Sequence, residues 1–146
     1  NLDVPSLPAS IPSLIANHDG YLIFDVGGDD SGAIALGQYA TTIAQQDYEM
    51  LYIFNQYRFL TSEPEETVAL LYDIERCSRL KVSALVNNSN LGPLTTRKTV
   101  EDTLPFAEKL VELTGLPIKC TTILRELTTE NTPNGIFPID SLLQAY

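Results

Sequence analysis

The sequence predicts an α/β fold: a mostly parallel sheet in three layers, formed as one domain over residues 1–146. Three observations point there. Four short apolar runs punctuate the chain: YLIFD from Tyr21 to Asp25, MLYIFN from Met50 to Asn55, VSALVN from Val82 to Asn87, and LPIKCTTI from Leu116 to Ile123. The first three are nearly continuous in Leu, Ile, Val, Phe and Tyr, as strands covered on both faces read. Helical patterns lie between the runs, and strands alternating with helices form right-handed βαβ units around a parallel sheet. Finally, 146 residues that are 44% apolar and 19% charged can bury about two-thirds of their unfolded surface without a disulfide or metal staple.

In chain order, the Pro-bearing lead DVPSLPASIP, from Asp3 to Pro12, reads as extended, and a start at Asn1 rather than Met reads as a piece cut from something longer. His18, beside Asn17, Asp19 and Gly20, reads as a surface turn. After the first strand, Leu36, Tyr39, Ala40 and Ile43 recur at helix spacing, with Gly37 as a weak point. After the second, Ser62 and Glu65 predict a capping box with Pro64 in the first turn. An apolar face of Val68, Leu71, Ile74 and Cys77 follows. A third helix is expected from Thr99 to Gly115, with Val100, Leu104, Ala107 and Val111 on one face; Pro105 predicts a kink or a late start near Thr103. The tail from Glu130 reads as a loop, and IDSLLQAY as a short apolar end that docks on the body. There is no internal repeat.

Charge narrows the partners. Nine basic and nineteen acidic residues give a net charge of −10, which repels phosphate backbones and anionic lipid surfaces. Nucleic acid and membrane are therefore not expected partners, and no apolar run approaches the roughly 18 residues of a membrane span. Cys77 and Cys120 lack any paired spacing and read as core thiols of a reducing compartment, so the expected location is cytoplasmic. The glycosylation-like triplet Asn87-Asn88-Ser89 ends an apolar strand and reads as chance.

Ligands of open parallel sheets bind outside the carboxyl ends of the strands. Here three apolar runs end in Asp25, Asn55 and Asn87, each of which also suits the start of a loop, where its side chain bonds nearby backbone. Asp25 is followed three residues later by Gly28. A strand-end acid suits Mg²⁺, held largely through water, and a glycine at that spacing lets its amide approach a phosphate. An adhesion-type metal site would need serines where Gly27 and Asp29 stand, and a calcium loop would need a distant closing Glu. Asp29 and Asp30 read as turn carboxylates, with metal binding as the other reading; Arg58 reads as a salt-bridge partner, with phosphate contact as the other.

The segments IFDVGGDDSGAIALGQYA, YIFNQYR, RLKVSALVNNSNLGPLTT and TGLPIK, in this order, resemble the carboxyl-terminal part of ParA/MinD/CobQ-type P-loop ATPases, and most of all a bacterial branch with GG after the Walker-B acid. The resemblance runs from about Val4 to the end, with DVGGD and VNNS as its specific parts. It implies a P-loop NTPase-like sheet, incomplete at its amino-terminal portion, with ATP and Mg²⁺ as cofactors of the intact protein. Asp25 would be the Walker-B acid and metal-side catalytic group, Gly28 the switch glycine, Asn87 or Asn88 the adenine-recognising amide, and Pro117 a neighbour of the base.

The chain departs from that family in one large respect. A Walker-A loop needs G-x-x-x-x-G-K-S/T, and none of Lys81, Lys98, Lys109 and Lys119 follows a glycine. The expectation is half a nucleotide site, inert alone, whose partners are the nucleotide and either the missing Walker-A segment or another copy of the chain; the resemblance implies a dimeric parent. The alternative is a non-enzymatic protein–protein interaction domain on the same fold.

Overall fold

The computed structural model describes residues 10–130, 132 and 135–140. They fall into two compact units. One takes in the described residues through Met50 together with Leu70–Lys81; the other takes in Leu51–Ala69 and the described residues from Val82 on.

The first unit is helical. Helix α1 spans Ile11–Asn17, with Pro12 in its first turn, so the lead predicted to be extended is helical from Ile11; its residues before Ser10 lie outside those described. Helices α2 (Asp30–Gly37) and α3 (Ala40–Ala44) follow, and the unit also contains the greater part of α4 (Pro64–Ser78). Ile15, Ala40, Ile43 and Leu80 form its buried centre, with Ile11, Leu36, Tyr39, Tyr48 and Met50 packed around them. Gly37, read from sequence as a weak point, has a packing reason: a Cβ built there would stand 2.6 Å from the Cys77 carbonyl oxygen. Arg79, at φ 59°, turns the chain after α4 and donates its guanidinium N–H to the Gly37 carbonyl.

No strand forms at Tyr21–Asp25, which corrects the first predicted strand. The segment carries no ladder, and Tyr21 and Ile23 are 101% and 88% exposed. An apolar run becomes a strand only where a neighbour takes up its peptide groups.

The second unit holds a four-stranded, all-parallel sheet, in the order β1 (Leu51–Phe54), β2 (Ala84–Asn87), β3 (Ile118–Leu124) and β4 (Ile136–Ile139). Leu51 pairs with Ala84, Asn87 with Thr121 and Thr121 with Ile136, with an irregularity between Leu85 and Val86. Every residue of β2 is buried, as its unbroken apolar run predicts. The predicted loop after Glu130 thus contains a strand, and the expected docking of the apolar end falls, from Ser141 onward, outside the described residues.

Helices α5 (Arg97–Glu101) and α6 (Leu104–Thr114) realise the break predicted at Pro105. Thr96 and Thr99 form the capping box of α5, and Gly115, at φ 73°, closes α6. The buried residues here are Val100, Phe106, Ala107 and Leu110, while Leu104 is exposed, so the apolar face turns from the one predicted; Phe106 lies 5.8 Å from Phe54, centroid to centroid. The capping box predicted for α4 does not form: the Ser62 hydroxyl bonds the Phe59 carbonyl, and the first carbonyl of the helix ladder belongs to Glu63.

The two sheet edges differ. The Asn88 amide donates to the Phe54 carbonyl at 2.9 Å, so the peptide groups of Tyr52 and Phe54 face β2 and those of Leu51 and Ile53 face the open edge. Tyr52 and Phe54 are buried, while Leu51 and Ile53, on the other face of β1, are 39% and 60% exposed. On the other side the Thr121 amide donates to Gly135 O at 2.9 Å; counting along the strand, Pro138, which has no N–H, faces outward. No helix among the described residues is long and apolar enough to cross a membrane.

Candidate functional site

Beyond the carboxyl ends of β1 and β2, side-chain amides and hydroxyls knit the loops together. Asn55 Oδ1 accepts from the Tyr57 and Asn90 amides at 3.0 and 3.2 Å, and its Nδ2 donates to the Asn90 carbonyl at 3.1 Å. Ser89 Oγ accepts from the Gln56 amide at 3.0 Å, tying the loop after β1 to that after β2. Asn90 in turn caps its own loop, donating to the Asn88 carbonyl at 2.8 Å and accepting from Gly92 N at 3.0 Å. A polar residue that ends a buried strand has loop peptides within reach, and these amides use them.

The two asparagines singled out from sequence differ. Asn87 is wholly buried; its Oδ1 accepts from Ser89 N at 3.1 Å and its Nδ2 donates to Thr103 Oγ1 at 2.8 Å. Asn88 is half-buried. Its Oδ1 accepts from the Thr122 hydroxyl at 2.6 Å, while its Nδ2 has no partner among the described residues. In the loop after β1, which Ser89 ties to the loop after β2, Gln56 Oε1 is a buried side-chain atom with no hydrogen-bond partner among the described residues. Gln56 was not singled out from sequence, although it directly follows the strand-end Asn55 in the quoted run YIFNQYR. Arg58 is exposed and forms no ion pair among the described residues, so the predicted salt bridge is not seen there. Pro117 precedes β3, where its carbonyl accepts from Leu85 N at 2.9 Å, whereas Asn88 meets Thr122 near the other end of that strand. The structure does not bring Pro117 and Asn88 together.

Asp25 and Gly28 belong to the first unit. Asp25 is exposed and makes no hydrogen bond or ion pair among the described residues. A Cβ on Gly28 would meet nothing within 4 Å, so the protein's own packing does not require glycine there. Gly32 is different: a Cβ would lie 2.5 Å from the Gly27 carbonyl oxygen, which explains one glycine of the run by close approach. Asp29 caps α2, accepting from Gly32 N at 2.9 Å, a local use for a carboxylate read as belonging to a turn. The side chain of Asp30 lies outside the described residues. His18 Nδ1 sits 3.1 Å from the Ile15 carbonyl in the turn after α1. Cys77 and Cys120 are free and half-buried, and burial pushes the Cys120 thiol up. Among the described residues no three His, Cys, Asp or Glu side chains gather as a metal-binding group.

No protein-family model, no curated protein and no solved structure matches the chain.

Proposed function

We propose that the chain carries the base-recognition and metal side of a Mg²⁺–ATP site of ParA/MinD type, on a three-layer P-loop-like fold, with the phosphate grip provided by a segment that this sequence does not contain. The observation that carries the reading is Gln56 Oε1 at the carboxyl end of β1, a buried acceptor with no hydrogen-bond partner among the described residues; the half-buried Asn88, at the end of β2, adds a side-chain donor, Nδ2, that makes no hydrogen bond there. Unmet buried polar groups are rare in folded proteins, and a donor with an acceptor suits the edge of a purine base. Asn87, consumed internally, holds the loop that presents Asn88.

Asp25 supports the metal side. Mg²⁺ takes one or two protein carboxylates and fills its shell with water and phosphate oxygens, and Asp25 is a single open carboxylate followed at the third position by Gly28. Arg58, exposed and unpaired among the described residues, adds a cation at the same end of the sheet as Asn55. Without the Walker-A amides and lysine, positioning and charge stabilisation are incomplete, so hydrolysis by this chain alone stays at background.

The test is a titration of the chain with Mg-ATP followed by amide NMR. Binding with a Kd near 1 mM, worth about 4 kcal/mol, is expected to shift the side-chain amides of Asn88 and Gln56, and Asn88→Ala should abolish the shift while the spectrum stays folded. No response at millimolar nucleotide, or a response that spares both amides, would overturn the reading. A second reading, a non-enzymatic interaction domain, draws on the exposure of Tyr21, Ile23, Phe59 and Leu94. It predicts partner capture that is indifferent to nucleotide.

A further inference from the structure

Gln56, Tyr57 and Arg58 follow β1 within the sheet-bearing unit, and each brings a different recognition group to one turn. Gln56 Oε1 is the buried acceptor with no hydrogen-bond partner among the described residues. Tyr57 is 38% exposed, and its hydroxyl donates to the Thr99 carbonyl at 2.7 Å, which anchors the ring at its far end. Arg58 is exposed, and its guanidinium makes no hydrogen bond or ion pair among the described residues. An acceptor, an aromatic ring and a guanidinium suit, in that order, the donor edge of a nucleobase, its plane and a phosphate. We propose that this turn holds the nucleoside monophosphate portion of a nucleotide, with Gln56 on the base and Arg58 on the phosphate next to the ribose, so that the chain binds a nucleoside monophosphate without Mg²⁺.

Hydrogen bonds from two sides fix the backbone of the turn. The Arg58 amide donates to the Asn55 carbonyl at 3.1 Å and the Tyr57 amide to Asn55 Oδ1 at 3.0 Å. Thr61 Oγ1 donates to the same carbonyl at 2.6 Å, and the Gln56 amide donates to Ser89 Oγ at 3.0 Å. A ligand here has side chains to order but no loop to fold, which lowers the entropic cost of binding. Engaging the Arg58 guanidinium breaks no bond to a described residue.

Charge selects a ligand with one phosphate. Residues 55–62 and 88–96, in the loops after β1 and β2, contain a single charged residue, Arg58, in a chain of net charge −10. The excess of acid elsewhere opposes an anion, whereas these loops offer it a cation and no carboxylate. One guanidinium matches one phosphate through two parallel N–H···O bonds. The β- and γ-phosphates call for Mg²⁺ and a glycine-lysine loop, and no lysine of this chain follows a glycine. A nucleic acid strand would need a row of cations, and these loops carry one. That the phosphate arrives joined to a base rests on the nucleotide function proposed above.

The experiment is amide NMR of the full chain in EDTA, with adenosine, AMP and inorganic phosphate as separate ligands. AMP is expected to shift the Gln56 side-chain amide and to bind about tenfold tighter than adenosine, as one charge-assisted contact implies. Inorganic phosphate at the same concentration should shift nothing. Arg58→Gln, at an exposed side chain with no described partner, should keep the spectrum of the parent chain and bind AMP and adenosine equally. AMP no tighter than adenosine, a variant that keeps the preference, a variant that loses adenosine as well, inorganic phosphate bound as tightly as AMP, or AMP binding that returns only with Mg²⁺ would each overturn the proposal. Should Mg-ATP shift Gln56 and Asn88 while AMP gains nothing over adenosine, this assignment falls and the function proposed above stands. If adenosine, AMP and Mg-ATP all leave both side-chain amides unmoved, that function falls, and this assignment with it.

Discussion

At the scale of single residues, the polar endings of the strands were legible in the sequence, but their use was not. Asn87 looked like a residue offered to a ligand; it is spent on Ser89 and Thr103, and Thr103 reaches it only because α5 and α6 fold over the sheet. Asn87→Ala should therefore cost about 1–3 kcal/mol, because the Ser89 amide loses its acceptor at a buried position, whereas Asn88→Ala, losing one half-buried bond, should cost less than about 1 kcal/mol; urea denaturation of the two variants measures the difference. Asp25→Asn, at an exposed side chain with no described partner, should leave the melting temperature unchanged. Tyr52 gives a pH prediction. Its hydroxyl is pushed by burial from 10.0 to about 12 and donates to the Thr67 carbonyl at 3.4 Å. Because the folded value is the higher one, the unfolded chain loses its proton first. The contribution of Tyr52 is intact below about pH 10 and is lost as pH rises towards about 12, on the order of 2 kcal/mol in all. Alkaline denaturation should therefore be shallower in Tyr52→Phe than in the parent chain.

At the scale of elements, three of the four apolar runs became strands and one did not, and the difference lies in neighbours rather than in composition. VSALVN lies between β1 and β3 and is buried along its whole strand; YLIFD is as apolar but meets no ladder. A strand is a property of a pair, and one run quoted alone does not reveal its partner. β4 was missed for the opposite reason: IFPI is short, contains proline and sits among turn formers, yet it finds a register against Thr121–Leu124. The helix breaks were easier to read, because proline and glycine act locally, as at Pro105 and Gly115. Gly37 shows where that local reasoning stops. In an open helix Gly→Ala stabilises by about 1 kcal/mol, but here the added methyl would meet the Cys77 carbonyl oxygen at 2.6 Å. Gly37→Ala should instead destabilise by about 1–3 kcal/mol, and a rise in melting temperature for that variant would mean that α2 and α4 do not approach there.

At the scale of the whole molecule, the α/β class and the parallel sheet followed from the alternation of patterns, while the division into two compact units did not, because no composition shift or linker marks it. The charge of −10 predicts no measurable duplex DNA binding at physiological salt; a steeply salt-dependent affinity in a filter or anisotropy assay would contradict it. The outward-facing Pro138 of β4 has a consequence for polymerisation. A sheet edge behaves as a valence, and a molecule with two open edges can grow without limit into a fibre. Of the two outward positions of β4, Ile136 and Pro138, the proline presents no N–H, which weakens this edge as a template, so growth beyond a first junction is expected to be disfavoured. Restoring the second valence with Pro138→Val should convert a finite species into one that elongates, seen as thioflavin-positive scattering that increases with concentration and is absent from the parent chain.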